Sequence, residues 1–308
     1  MRVLVTGGAG FIGSHVADAY RAAGHEVAVV DDLSSGVRAN VHPGHRFWQL
    51  DVRSAEIHSA IQEFQPEIVS HHAAQMSVSA SVRDPRHDAD INILGTINLL
   101  EAAVRHGVRR VLFASTGGAM YGDQETLPTA ETVFPEPVSP YGVAKLAVER
   151  YLHAFHAMYG LSAVALRYAN VYGPRQNPHG EAGVVAIFSR ALIGGRSLTV
   201  NGDGEQTRDY VYVADIVEAN LLATSAHLSG GLTVCNVGTG VETSVNTLVE
   251  FLRKGSAREV HVERGPARPG EQRRSALDAS CAGRILGWRP HTPLQAGLQQ
   301  TVTWFAAS

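Results

Sequence analysis

Cysteine is almost missing from this sequence: Cys235 and Cys281 are the only two in 308 residues. They lie far apart along the chain and lack metal-ligand spacing. That excludes a disulfide framework or a zinc module and predicts reduced thiols in a cytoplasmic protein. An excess of one charge sign is missing too. A net charge of −3 gives no electrostatic footprint for nucleic acid or for an anionic membrane. No run of about 18 apolar residues occurs, so no membrane span is expected. The apolar Val3-Leu4-Val5 meets Gly7 and Gly8 too soon for a signal peptide. Internal repeats and low-complexity linkers are absent as well. His71 and His72 are adjacent in a strand-like run and point to opposite faces, so no metal site is expected. What remains is 44% hydrophobic and 18% charged, a globular chain long enough for one large or two modest domains.

The first motif follows a short apolar run at residues 2–6, which reads as a buried strand. Gly7-Gly8-Ala9-Gly10-Phe11-Ile12-Gly13 comes next, and then a helical pattern through Ala23. In the spacing of Gly7, Gly10 and Gly13, the first glycine permits a tight turn. The second lets a pyrophosphate approach the backbone, and the third lets the helix pack on the strand. The helix N-terminus then offers free N–H groups to phosphate. A second strand at 26–30 ends at Asp31-Asp32, 18 residues past Gly13. A carboxylate there accepts from both ribose hydroxyls and repels a 2′-phosphate, which favours NAD over NADP. Strand-like 46–50 delivers Asp51-Val52 beside an adenine. After helical 55–64, strand 67–71 leads into His72-Ala73-Ala74, small residues where a dinucleotide passes. A helical stretch at 84–106 contains Asn92, and strand 109–114 delivers Ser115-Thr116. This alternation predicts an α/β fold, a doubly wound parallel sheet of Rossmann type with its ligands at the carboxyl ends of the strands.

The central motif is Ser139-Pro140-Tyr141-Gly142-Val143-Ala144-Lys145. Tyr141 and Lys145 are four apart and share a helix face. Ser139 suits an N-cap and Pro140 a first turn, which puts Tyr141 at the positive end of the helix dipole. A free phenol ionises near pH ~10, too high for a base at neutral pH. A nearby ammonium is expected to pull that value down. A hydroxyl from Ser115 or Thr116 would hold a substrate alcohol against the phenolate. The set is a device for removing a proton from an alcohol while a hydride leaves the same carbon.

Past residue 168 the pattern changes. Residues 170–178 form a Gly/Pro-punctuated loop, 184–192 are helical, 202–210 are a loop running into a strand, and 214–225 are helical again. These predict a smaller α/β C-terminal substrate lobe, with residues 1–168 as the NAD-binding domain and 169–308 as the lobe that closes the cleft, the two interleaved. Arg175, Arg208 and Arg268 recur on loops of that lobe. Guanidinium groups suit phosphates, so a second diphosphate site is expected there.

Together these residues resemble the extended short-chain dehydrogenase/reductases, in the nucleotide-sugar epimerase/dehydratase branch. The resemblance covers nearly the whole chain, through 6–13, 31–36, Asp51, 72–74, 92–96, 115–121, 141–145, 172–175, 202–210 and 268–271. Within the branch the chain is most similar to UDP-glucose (UDP-galactose) 4-epimerases. The resemblance implies tightly bound NAD, a UDP-sugar substrate and 4-epimerisation through a 4-keto sugar. It implies Tyr141 as base, Lys145 holding the nicotinamide ribose, and Thr116, with Ser115 as the competing candidate, bonding O4. The implied cofactor contacts also include Phe11, Ile12, Ser35, Gly36, Asp51, Val52, His72, Ala73, Ala74 and Asn92. Asn170, Arg175, Arg208, Arg268 and Glu271 would contact the nucleotide sugar, and Ser275 would leave room for a 2-N-acetyl group. A homodimer through the helices at 84–106 and 141–159 is implied too.

The sequence departs from many relatives in one respect: four residues, not three, separate Thr116 from Tyr121, which leaves Ser115 and Thr116 both open. A 4,6-dehydratase is disfavoured because Gly117-Gly118 stand where those relatives carry an acidic pair. UDP-uronate 4-epimerisation stays in view, with Arg175 able to meet a C6 carboxylate. A non-catalytic NAD-sensing protein is disfavoured by the presence of Thr116, Tyr141 and Lys145.

Overall fold

In this computed structural model the described residues are 1–178, 183–228, 230–255, 260–267 and 272–308. The first apolar run becomes β1 (Arg2–Thr6), followed by α1 (Phe11–Ala22) and β2 (Glu26–Val30). Then come β3 (Arg46–Trp48), α2 (Glu56–Phe64) and β4 (Ile68–His71). A short α3 (Val78–Arg83) precedes α4 (Pro85–Ala89), a π-helical turn at Asp90–Leu94 and α5 (Gly95–Arg105). The strand β5 (Arg110–Thr116) leads by a long loop to α6 (Pro140–Tyr159), and β6 (Ser162–Tyr168) follows.

Beyond it lie β7 (Asn170–Tyr172), α7 (Val184–Ile193), β8 (Leu198–Asn201), β9 (Thr207–Arg208), β10 (Tyr210–Tyr212) and α8 (Val213–Ser225). The chain finishes with β11 (Leu232–Val237), β12 (Thr243–Ser244), α9 (Val245–Gly255), β13 (Val262–Gly265), α10 (Ser280–Leu286) and α11 (Leu294–Ala307).

The main sheet is seven-stranded and parallel, in the order β11-β6-β5-β4-β1-β2-β3. Both faces are buried, as a parallel sheet requires. Side chains alternate along β1, so Val3 and Val5 pack with Val16 and Tyr20 of α1 and Ile216 and Ala219 of α8. Leu4 faces the other way and packs with Ile57 and Ile61 of α2, Leu99 of α5 and Val148 and Leu152 of α6.

The chain beyond residue 168 helps to complete this sheet: β11 pairs with β6, and α8 packs on α1. A separate core joins Phe188 and Leu192 of α7, Leu198 and Val200 of β8, and Val249 and Leu252 of α9. The two cysteines, remote in sequence, lie where α10 packs on β11: Cys281 Sγ is 3.9 Å from the carbonyl of Val234, and burial pushes both thiols up from the ordinary value. Among the described residues no helix is long and apolar enough to cross a membrane.

Candidate active site

Strand order reverses between β1 and β4, and their carboxyl ends open the crevice where doubly wound sheets bind ligands. Gly7 sits there at φ +69°, and a Cβ on it would stand 2.5 Å from the Ala73 nitrogen, so the glycine turn is pressed against the backbone of His72 and Ala73. At the start of α1, Gly10 is an N-cap that contributes no side-chain bond, and the first turn holds no acidic residue. Its leading N–H groups are therefore left for an anion. Asp31, at the end of β2, is buried and accepts from Ala9 N and Leu33 N, both at 2.9 Å. Burial pushes its carboxyl up from the ordinary value, while those hydrogen bonds pull the other way. Asp32 is exposed and spends an oxygen on Ser34 N and Oγ. Gly36 lies against Asp31, and the next residue, Val37, donates its N–H to the Ala9 carbonyl. Ser35 beside it is exposed. Turn, bare helix end and oriented carboxylate fit NAD, with Asp31 rather than Asp32 held by the glycine turn.

Four expected cofactor contacts have other partners. The Asp51 carboxylate is held by Arg53, at 2.6 Å from Nη2, and that guanidinium also reaches Asp90. The Val52 carbonyl accepts from Asn98 Nδ2 at 2.7 Å. Asn92 corrects the expectation most clearly. It sits in the π-helical turn, where Nδ2 donates to Gln75 O and Asp88 Oδ1 and Oδ1 accepts from Gln75 N. Both amide donors are spent on holding Gln75 and Asp88, so Asn92 braces the cleft wall instead of offering donors to a cofactor. His72 bonds Ser70 Oγ at 2.9 Å, while His71 bonds Thr6 and Thr96.

At the end of β5 strand alternation turns the two hydroxyls to opposite faces of the sheet. Ser115 is buried and donates to Glu149 Oε1 at 2.7 Å, beside the Glu149–Arg167 ion pair. Its hydroxyl proton is thereby committed to that internal network. Thr116, pointing to the other face, accepts from Ala119 N at 3.2 Å. The same turn abuts the first turn of α6, since a Cβ on Gly142 would meet Ala119 O. As the sequence predicts, Ser139 caps α6 by accepting from Gly142 N at 3.2 Å, and Pro140 opens it. Lys145 is 4% exposed and donates from Nζ to Ala114 O at 2.9 Å. Its ammonium stands 5.7 Å from the centre of the Tyr141 ring and 4.7 Å from that of Phe113.

The expected lowering of the Tyr141 pKa is not found in the protein by itself. Burial pushes the phenol up to about 12, and the negative charge of Asp88 adds to this. Burial brings Lys145 down to about 8, against the opposing pull of Asp88 and Glu149. The ammonium is spent on a carbonyl, so it does not offset the phenol's loss of water.

Residues between 170 and 245 line a cavity of about 470 Å³. Asn170 and Arg208, both expected from the sequence, line it. Its other walls are Gln176, Ile187 and Phe188 of the α7 side, Thr199 and Asn201 of β8, Gln206, Tyr210 and Val245. The sequence reading missed these. Their signal was present in β8, where Thr199 and Asn201 alternate with the buried Leu198 and Val200. Arg175 is not among the lining residues. It has φ +64° and its Nη1 donates to Asp18 Oδ2 of α1 at 2.8 Å, so it ties its loop to α1 rather than facing the cavity. Ser275 is 6% exposed, on the segment that leads into α10, and does not line the cavity either. Arg268 and Glu271 lie outside the described residues.

The NAD dependent epimerase/dehydratase family matches residues 3–238. The UDP-glucose 4-epimerase of Mycolicibacterium smegmatis is 46% identical over 99% of this chain and 98% of its own. The UDP-glucose 4-epimerase of Thermotoga maritima, solved with UDP-glucose, superposes at TM-score 0.94 with 47% identity over 99% of this chain and 98% of that one. That of Thermus thermophilus, solved with NAD, gives TM-score 0.94 with 46% identity over 99% of both chains. With the glycine turn, the oriented Asp31 and the Thr116–Tyr141–Lys145 grouping on the same sheet edge, the chain belongs to the NAD dependent epimerase/dehydratase family.

Proposed function

We propose that this chain is an NAD-dependent epimerase that inverts C4 of a UDP-hexose, interconverting UDP-galactose and UDP-glucose. The observation that carries the reading is the Tyr141–Lys145 pair on α6, with 5.7 Å from ammonium to ring centre, in a fold that also carries the dinucleotide turn and a 470 Å³ cavity lined by Asn170 and Arg208. The relatives that it resembles over their whole length bear the same activity in their names.

When bound, NAD supplies the acceptor and donor of the C4 hydride, and its oxidised ring adds a positive charge that favours the Tyr141 phenolate. The chain's own residues then do the rest. Tyr141 takes the proton from sugar O4 and returns it after the sugar has turned. Thr116 hydrogen-bonds O4 and fixes the alcohol against the phenol. Lys145, held by Ala114 O, keeps a cation beside the reacting oxygen and the nicotinamide ribose. Arg208 and Asn170 hold the nucleotide diphosphate, with Arg268 and Glu271 as further contacts. A flat 4-keto sugar is thereby free to turn while its UDP stays anchored, and no net redox results.

The substrate side is built from residues 169–308, with α8 and β11 lent to the NAD side. We assign the assembly as a homodimer, on the exposed Val143, Tyr151 and Met158 of α6 and Leu94 at the π-helical turn. Two free cysteines suit a reducing cytoplasm. The bond from Arg175 to Asp18 removes the support that a C6 carboxylate contact lent to a uronate reading.

Purified protein incubated with UDP-galactose, without added cofactor, is expected to yield UDP-glucose with no net NADH, and Tyr141→Phe to lose about 10²–10⁴-fold in kcat while keeping its NAD. Absence of conversion by the wild type with NAD supplied would remove the reading. A fully active Tyr141→Phe would remove the base. Parallel assays with UDP-N-acetylgalactosamine test whether the site admits the N-acetyl group.

A further inference from the structure

Asp209 lies between β9 and β10 and is 1% exposed. A buried carboxylate persists only when its oxygens are met by donors. Here four neutral donors meet them. Oδ1 accepts from Thr239 N at 2.9 Å and Thr239 Oγ1 at 2.6 Å. Oδ2 accepts from Gly240 N at 3.0 Å and Leu277 N at 3.2 Å. The main-chain carbonyl of the same residue accepts from Asn170 N at 2.9 Å. One residue therefore joins the Arg208–Tyr210 stretch, the start of β7, the turn after β11 and the segment that carries Ser275.

Leu277 continues this linkage toward the chemistry. Its backbone is held by Asp209, and its neighbours are fixed by Thr129 N to Ala276 O at 2.8 Å and Asp278 N to Thr129 O at 2.9 Å. Its side chain rests on Gly117. A Cβ there would stand 2.3 Å from Leu277 Cδ1, so a residue larger than glycine beside Thr116 is excluded while Leu277 is in place. Leu277 also packs with the buried Met120 and Tyr121, at the far side of the same turn.

We propose that Asp209 is a positioning residue for epimerisation: it locks the strand pair that carries Arg208 to the segment through which Leu277 seats the Thr116–Ala119 turn. Nucleotide clamp and catalytic hydroxyl are in this way set in one frame. The proposal rests on the roles assigned above to Thr116, Asn170 and Arg208. An asparagine at 209 has the same shape, but its NH2 group faces N–H donors and leaves them unpaired.

The test compares Asp209→Asn with Asp215→Asn. Asp215 is also a buried carboxylate, 3% exposed, and accepts from Thr292 N and Oγ1, but it sits on α8 and is not among the residues lining the cavity. Melting temperature, bound NAD, the Kd for UDP by calorimetry, and kcat and KM on UDP-galactose are measured for both. Asp209→Asn is expected to lose roughly 10²-fold in kcat/KM, to bind UDP more weakly and to keep its NAD. Asp215→Asn, at equal loss of melting temperature, is expected to stay near wild type in all three. Equal losses in the two variants, or an unchanged KM and Kd in Asp209→Asn, would overturn the proposal. Should Asp209→Asn not fold, Leu277→Ala decides, because it keeps the backbone bond and removes the side-chain contacts with Gly117, Met120 and Tyr121 that seat the turn. The proposal then requires a lower kcat, and an unchanged kcat overturns it. A wild type inert toward UDP-galactose would instead bring down the epimerase reading itself.

Discussion

Burial moves Tyr141 and Lys145 in opposite directions, because each is penalised in its charged form. The Tyr141–Lys145 spacing was legible in the sequence; the sign of the Tyr141 shift was not, since desolvation depends on what surrounds the ring. Asp88 is the part of those surroundings that a substitution can isolate. It is 1% exposed, accepts from Gln75 Nε2 and Asn92 Nδ2 through Oδ1, and has an Oδ2 without a partner among the described residues. Its charge raises both Tyr141 and Lys145. Glu149 faces Lys145 as well, and so do His71 and His72, whose pKa values burial lowers to about 3 and which are neutral above that. Turnover needs the phenolate, so kcat/KM falls as pH drops through the Tyr141 pKa. Removing the negative charge lowers that pKa. In Asp88→Asn the rising limb of kcat/KM is therefore expected at lower pH than in wild type. A limb that holds its position, or moves up, would show that the Asp88 charge does not act on the base.

Two elements, β5 and α6, meet through a buried network that no local pattern announced. Ser115 of β5 bonds Glu149 of α6, which pairs with Arg167 of β6 at 2.6 Å. Arg167 in turn donates to Tyr121 Oη at 2.7 Å, and Tyr121 donates to Asn236 of β11. The pair is only 3% and 5% exposed, so neutralising one partner strands the other charge. Glu149→Gln is expected to lower stability by about 3–5 kcal/mol, read from the denaturant midpoint at unchanged slope, whereas Ser115→Ala should leave kcat near wild type. A large kcat loss in Ser115→Ala would restore Ser115 as a catalytic hydroxyl. The helix limits of α6 were legible because the cap and the proline are local. The strand β11 was not read, because Leu-Thr-Val-Cys-Asn-Val carries no turn signal that tells a sheet edge from a loop.

At the scale of the whole molecule, the proposed dimer rests on exposed apolar residues. Val143, Tyr151 and Met158 on α6 are 50%, 40% and 59% exposed, and Leu94 is 58% exposed. The first three are spaced to share one helix face. Light scattering is expected to give twice the chain mass for the wild type and one chain mass for a Leu94→Glu, Tyr151→Glu double variant. A wild type at one chain mass would end the dimer assignment. By itself the sequence determined the strand–turn–helix that cradles a dinucleotide, the alternation that builds the sheet, and the capped helix that spaces Tyr141 from Lys145. Each is written in residues within a few turns of one another, where dihedral preferences and side-chain periodicity act directly. Tertiary structure alone decided that Ser115 bonds Glu149, that Arg175 serves Asp18, that Asn92 braces Gln75, and that the two cysteines lie where α10 packs on β11. It also decided that Asp209 joins stretches some 30 and 68 residues away from it. Those outcomes depend on which distant donors and apolar faces are brought together when the buried polar groups must all find partners, and that is a property of the packed chain.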